Sequence, residues 1–306
     1  MKNFKEQIKR FFLGEYLISN LHCFESWLFP LLISDEVAVR RYYRKITKKE
    51  LNLENPSGFT EKLNWYKLNG RLPLMQTCAD KVAVREYVSS KGFKENLNKV
   101  YAVCNGVKEL DIDSYPERFV IKASHGSHMN LIVKNKENIN WFKEKLMMSS
   151  WLRQNIYWGG REWVYKDIPR RLIVEKYLED ESGELRDYKI FCFNGKPYYL
   201  QYDVGRFSEK HTRNYYDMNK QFIPIHDDLF PDETIDFPLS DNQFNQMKEM
   251  AKVLAEPFQF VRVDFYLVNQ KIYFGELTFF HNGGVSWFSP EEYDKIWGEH
   301  WILRKE

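Results

Sequence analysis

Near the C-terminus, Val261-Arg262-Val263-Asp264-Phe265-Tyr266-Leu267 is followed by Lys271-Ile272-Tyr273-Phe274-Gly275-Glu276-Leu277-Thr278. Each run alternates apolar with polar residues, the period of a strand with one buried face. Val268-Asn269-Gln270 between them is short and polar enough to turn the chain back as a hairpin. Pairing the runs brings Asp264 and Glu276 together with Arg262 beside them. Two carboxylates and a guanidinium on neighbouring strands are costly to hold together unless a cation or a phosphate is the guest. The alternative is a solvated hairpin with ordinary surface charges. These residues alone leave both open.

Upstream, Asp187-Tyr188-Lys189-Ile190-Phe191-Cys192-Phe193 and Pro197-Tyr198-Tyr199-Leu200-Gln201 flank Asn194-Gly195, the preferred two-residue hairpin connection. Arg118 to Ala123 reads as a strand, and Leu131 to Lys134 as its return. The loop between them, Ser124-His125-Gly126-Ser127-His128-Met129-Asn130, has the make-up of a flap that covers phosphates with backbone N–H groups, with Lys122 at its lip. His125 and His128 are either metal ligands or ordinary hydrogen-bonded histidines. Arg171 to Leu178 is a β-branched run. Glu181-Ser182-Gly183-Glu184 is a turn, and the segment around Arg206 and Arg213 a polar loop.

Helical spacing marks Val37–Lys49, a helix capped by Thr60, one opening near Asp80 and closing at Gly92, Asn140–Trp158 ended by Gly159-Gly160, and residues 241–255. Lys81 falls in the first turn of the helix near Asp80, where a cation opposes the helix dipole. Either it is held there for a ligand, or it is one cheap surface lysine. Residues 1–33 mix Lys2, Lys5, Lys9 and Arg10 with Phe, Leu and Trp. They suit amphipathic helices that pack on the body of the protein or lie on the inner membrane leaflet.

The 306 residues suffice for two modest domains. The net charge of +2 argues neither for nor against an acidic partner, and the lack of an extended Lys/Arg stripe interleaved with aromatics argues against nucleic acid. The four cysteines, Cys23, Cys78, Cys104 and Cys192, lack zinc spacing and read as buried thiols in a reducing compartment. Neither a signal peptide nor an uninterrupted apolar stretch of about 18 residues is evident, so the expected location is cytoplasmic. Trp158, Trp163, Tyr215 and Tyr216 are suited either to stacking on sugar rings or to the core.

Taken in order, these pieces resemble the ATP-grasp superfamily over roughly residues 80 to 285. More narrowly, from about Leu51, they resemble its TupA-like members, found with polysaccharide and teichuronopeptide biosynthesis. The resemblance implies an α+β ATP-grasp fold in which two α+β subdomains grip a nucleotide, with an N-terminal helical region. We expect the helical region over 1–75, a nucleotide-lid subdomain over 76–178 and a metal-bearing subdomain over 179–306. It implies that Lys81 and Lys122 contact the phosphates, with Ser124, Gly126 and Ser127 in the flap. Glu175, Lys176, Tyr177 and Leu178 match the adenine hinge, Asp187 the ribose-binding acid, and Lys189 a phosphate ligand. Asp264 and Glu276 match the ligands of Mg2+ or Mn2+ bridging the β- and γ-phosphates of ATP. Arg262 matches the group that stabilises the transferred phosphoryl, and Arg206 and Arg213 those that hold an acceptor carboxylate or acyl phosphate.

Two departures stand out. Thr278 replaces the usual asparagine ligand, leaving Asn282 as the candidate substitute, and the flap carries His128-Met129 where relatives often have glycines. The activity implied is an ATP-dependent carboxylate–amine ligase acting through an acyl phosphate. The implied partners are an acidic glycopolymer, or a nucleotide- or lipid-linked sugar acceptor, and a small amine. A sugar kinase and a glycosyltransferase are the alternatives.

Overall fold

The computed structural model describes residues 33–180, 183, 185–205, 211–225, 236–286 and 288–305. The helices expected over residues 1–33, Cys23, most of the Glu181–Glu184 turn and Arg206 lie outside the described residues. The helices that follow are α1 (Asp35–Thr47), α2 (Phe59–Asn69), α3 (Pro73–Ala79), α4 (Val84–Ser90), α5 (Trp141–Trp151), α6 (Tyr157–Gly160), α7 (Asp241–Ala255) and α8 (Glu292–Glu299). The strands are β1 (Val100–Cys104), β2 (Phe119–Ala123), β3 (Asn130–Val133), β4 (Leu172–Lys176), β5 (Asp187–Phe193), β6 (Lys196–Val204), β7 (Thr212–Asp217), β8 (Phe222–Ile223), β9 (Phe260–Val268) and β10 (Lys271–Thr278). They form two antiparallel sheets, ordered β1-β4-β2-β3 and β10-β9-β5-β6-β7-β8. The fold is therefore the mixed, hairpin-rich α+β type that the sequence implies. Among the described residues, no helix is long and apolar enough to cross a membrane.

Among the described residues, one compact unit takes Asp80–Val84 and Asn98–Tyr177 together with those before Val39. Directly paired residues share a face of a sheet. Phe119, Ile121 and Ala123 on β2 thus align with Val174 and Leu172 on β4 and pack with Met148 and Trp151 of α5. Val120, Lys122, Ile173 and Glu175 occupy the opposite face. The helix expected to reach Trp158 breaks after Trp151 and resumes as the single turn of α6. That turn ends at Arg161 in the left-handed conformation (φ 55°) rather than at Gly159-Gly160.

The other unit takes Val39–Ala79, Arg85–Leu97 and Leu178–Glu306. Tyr188, Ile190 and Cys192 on β5, with Val261, Val263 and Phe265 on β9, turn one way. They meet the buried stripe Phe244, Met247, Met250, Ala251 and Leu254 of α7, where the Cys192 Sγ lies 3.9 Å from the Ala251 carbonyl. That helix has the expected bounds, and Ser240 caps it by accepting from the Gln243 N–H. Phe191, Phe193 and Phe260 face the other way and are closed over by Phe59 of α2, with centroids at 5.2 to 6.4 Å, and by Trp297 of α8. Such edge-on pairs add about 0.5–1.5 kcal/mol each beyond burial. Tyr215, against Trp297, belongs to this core and Tyr216 to the opposite side of the sheet under α7, neither to a sugar platform, whereas Trp158 and Trp163 are half-buried. Thr60 does not cap α2. Asp294 does, accepting from the Thr60 N–H at 2.8 Å and the Thr60 Oγ1 at 2.6 Å.

The C-terminal hairpin forms with a tighter turn than expected. Val268 ends β9, and only Asn269 and Gln270 turn, both left-handed (φ 49° and 64°) as a two-residue hairpin loop requires. Strand β9 is buried almost throughout, not on one face, because it lies between β5 and β10 under α7. Register is unbroken to Phe274↔Phe265; a bulge at Gly275 then inserts one residue, so Glu276 pairs with Asp264. Without that insertion Glu276 would oppose Val263 and point toward α7. A Cβ at position 275 would lie 3.0 Å from the Asp264 carbonyl oxygen and 3.3 Å from its carbon, both backbone atoms. Gly275→Val is therefore expected to cost about 1–3 kcal/mol, read as a lower urea midpoint with an unchanged slope.

Candidate functional site

In the first unit, Lys122 Nζ lies 2.7 Å from Glu175 Oε2 across β2 and β4, with 28% and 12% of the two side chains exposed. Lys81 does not sit in a helix. It occupies the turn before α4, and its Nζ donates to the Gly126 carbonyl at 2.5 Å. The expected flap is mostly internal. The Ser124 hydroxyl donates to the Pro169 carbonyl (2.8 Å) and accepts from the Arg171 N–H (3.2 Å), and its own N–H donates to the Arg171 carbonyl (2.8 Å). Ser124, His125 and Gly126 are buried, leaving Ser127 and His128 exposed at the tip. His125 Nε2 pairs with the Trp151 carbonyl at 3.0 Å, a packing role and not a metal ligand's. In the hinge, the Lys176 N–H donates to Lys99 (2.9 Å) and its carbonyl accepts from Asn98 (2.8 Å). The Tyr177 ring lies under the Arg118 guanidinium at 4.3 Å. The Arg171–Asp80 ion pair behind this loop, at 2.5 Å, is absent from the sequence reading.

In the second unit, pairing lines up Glu276, Asp264, Lys189 and Gln201 across four strands. Next to this row are Thr278 and Arg262 on one side and Asp187, Asp203 and Arg213 on the other. The sheet face that is aromatic under α2 and α8 is thus charged at its other end. Arg262 grips Asp264 with two bonds, Nε to Oδ1 at 2.7 Å and Nη2 to Oδ2 at 2.6 Å. Its Nη2 also reaches Thr278 Oγ1 at 3.1 Å and Glu276 Oε1 at 3.5 Å, and the Thr278 hydroxyl donates to Glu276 at 3.2 Å. Burial pushes the Asp264 carboxyl up to about 6 against the pull of Arg262.

Lys189 and Asp187, expected at a phosphate and a ribose, sit in a buried network whose hub the sequence reading lacks. Asp203 takes Lys189 at 2.8 Å, Arg213 at 2.8 Å and Gln201 at 2.9 Å, with His211 at 3.6 Å, and Asp187 lies 3.3 Å from Lys189. Burial opposes ionisation of Asp203, but Lys189, His211 and Arg213 hold its carboxyl well below the usual carboxylate range. Arg213 lies within strand β7 rather than beside a polar loop. Counting back from the Asn194-Gly195 turn pairs Asp187 with Tyr202. A bulge beside Phe191/Cys192 shifts the register so that Asp187 meets Asp203. Pro197, which has no N–H to give to a ladder, is the signal that could have revealed it.

The model of the TupA-like ATPgrasp family matches residues 61–302. The chain belongs to the TupA-like ATP-grasp family. No curated protein matches it. Among solved structures it is similar to the D-alanine–D-alanine ligase of Bacillus anthracis, at 16% identity and a TM-score of 0.40, covering 66% of this chain and 56% of that one. The Helicobacter pylori D-alanine–D-alanine ligase gives 12% identity and a TM-score of 0.47, covering 82% and 69%. The Staphylococcus aureus N5-carboxyaminoimidazole synthetase, solved with ADP, gives 13% and 0.40, covering 66% and 44%. This chain thus spans little more than half of the first of these.

For a TupA-like ATP-grasp protein the metal ligands are the sharpest test. Among the described residues, no group of three or more His, Cys, Asp or Glu converges as a metal cage. Two carboxylates on neighbouring strands do suit magnesium, which is held by one or two carboxylates and completes its shell with phosphate oxygens and water. Arg262 takes one bond on each Asp264 oxygen, which leaves each a second lone pair. Asn282, the candidate substitute ligand, is exposed and left-handed (φ 49°), with no side-chain hydrogen bond to either carboxylate. Its neighbour His281 is what the fold brings in, with Nδ1 2.7 Å from Arg262 Nη1. No motif spacing in the sequence links His281 to Arg262, 19 residues away.

Proposed function

We propose that this protein is an ATP-dependent carboxylate–amine ligase. ATP phosphorylates a carboxylate, an amine attacks the acyl phosphate, and an amide, ADP and phosphate leave. The observation that carries this reading is the Arg262–Asp264–Glu276–Thr278 cluster on two paired strands, in a chain of the TupA-like ATP-grasp family. Phosphoryl transfer needs positioned positive charge rather than a nucleophilic side chain. Arg262 supplies it on the sheet that carries the two carboxylates. Asp264 and Glu276 would hold magnesium, whose charge would neutralise the β- and γ-phosphate oxygens. Arg213, anchored by Asp203, suits an acceptor carboxylate. Family context alone supports the further step, that the acceptor is a uronic-acid or amino-acid group of a capsular or cell-wall polymer.

Hydroxylamine in place of the amine tests the chemistry, since an acyl phosphate gives a stable hydroxamate and a phosphorylated sugar hydroxyl gives none. With ATP, magnesium and a panel of uronic acids and amino acids, carboxylate-dependent hydroxamate is expected. A phosphoester product with no hydroxamate would make the protein a kinase. Glu276→Gln is the paired control, because 41% of that side chain is exposed and the replacement keeps its shape. It should lower hydroxamate formation about 10²-fold, with the melting temperature within a few degrees of wild type.

A further inference from the structure

Stabilising the transferred phosphoryl gives Arg262 a task and leaves its third nitrogen, Nη1, unexplained. Nε and Nη2 grip Asp264, so Nη1 points away from the carboxylates, and a guanidinium there can only donate. What meets it is His281 Nδ1 at 2.7 Å; side-chain exposure is 9% for Arg262, and His281 is 3% exposed. The His281 ring also packs against a neighbouring aromatic. Its edge stands against Phe191, with centroids 5.0 Å apart at 82°. The turn that carries it, His281–Gly284, has three successive left-handed residues, Asn282, Gly283 and Gly284 (φ 49°, 65° and 85°). Helix α2 clamps that turn, with Lys67 Nζ donating to the Gly283 carbonyl at 2.5 Å and Asn64 Nδ2 to the Gly284 carbonyl at 2.6 Å. A Cβ at Gly284 would meet Asn64 Oδ1 and Lys67 Nζ at 3.0 Å, so glycine is what allows the clamp to close.

We propose that His281 is a positioning residue that holds the Arg262 guanidinium in one orientation for the phosphoryl-transfer step. This rests on the ligase reading. A neutral imidazole suits the task better than a carboxylate, because it accepts a bond without cancelling the charge Arg262 must offer. The geometry requires Nδ1 to be an acceptor, since the guanidinium nitrogen 2.7 Å away can only donate, and a protonated imidazole has no acceptor to give. Without an acceptor, a buried N–H is left unpaired and the guanidinium is free to tilt about the Asp264 pair.

The experiment compares His281→Phe, which keeps the ring contact with Phe191 but removes the acceptor, with His281→Asn, whose amide oxygen reaches toward the Nδ1 position. His281→Leu stands in if the phenylalanine variant does not fold. The acceptor-free variant should lose about 10²-fold in kcat with KM for ATP changed less than threefold, and the asparagine variant should recover most of the loss. Nitrogen-15 spectra of the arginine side chains, assigned with Arg262→Lys, should show the Arg262 Nη1 signal shifted and exchanging faster in the acceptor-free variant alone. Wild-type kcat in that variant, or an unchanged Nη1 signal, overturns the proposal. If the wild type makes no ATP-dependent product, the ligase reading falls, and the Nη1 signal still decides whether His281 orients Arg262.

Discussion

Arg262→Lys is expected to lower kcat by about 10³-fold while KM for ATP moves less than tenfold, measured in the hydroxamate reaction. Lysine keeps the charge but loses the planar fork. One ammonium cannot place two bonds on Asp264 at 2.6 and 2.7 Å and still reach His281 and Thr278. A comparable rate in the lysine variant would mean that charge alone suffices, and would move the phosphoryl-stabilising role away from Arg262. A large rise in KM with kcat intact would make it a ground-state binding group instead.

Asp203→Asn is expected to cost about 3–5 kcal/mol in unfolding free energy at pH 7. The side chain is 2% exposed and anchors Lys189 and Arg213, themselves 4% and 10% exposed. Asparagine removes the charge on which both buried cations converge, while Asp187 stays 3.3 Å from Lys189. The pH dependence has a definite sign. The folded carboxyl of Asp203 titrates below its unfolded value of about 3.9, so its stabilisation is complete above roughly pH 4. As pH falls from there toward the folded pKa, that stabilisation is lost. Urea midpoints of wild type and variant should therefore differ by a constant amount from pH 7 to about pH 4 and converge below it. A variant within 1 kcal/mol of wild type would show that the network contributes little, and a gap that widens in acid would show that the Asp203 carboxyl does not titrate below its unfolded value.

Much of the scaffold is legible because it rests on local signals. The Asn194-Gly195 turn, the three-and-four spacing of Phe244, Met247, Met250, Ala251 and Leu254, and the alternation before and after Asn269-Gln270 each fix an element within a few residues. Where local signals are weak the reading misses. Helix α3, strand β1 and helix α8 lack strong periodicity, and Thr60 looks like a cap because Asp294, the group that caps, lies 234 residues away. The sequence likewise points to Asp264, Glu276 and Arg262, since paired strands must bring them close, and to Lys122 beside a loop.

The sequence by itself determined the two antiparallel hairpins, the helix that backs the larger sheet, and which charged residues lie on their strands. Only the tertiary structure decided which of those charges meet. The bulge at Gly275 turns Glu276 to Asp264, and the one beside Phe191/Cys192 brings Asp203 to Asp187. A single inserted residue reverses the face of everything after it. The clamp of Asn64 and Lys67 on a left-handed turn then carries His281 to Arg262. Such contacts join residues far apart in sequence through backbone carbonyls, which every residue carries alike, so no pattern of side chains announces them.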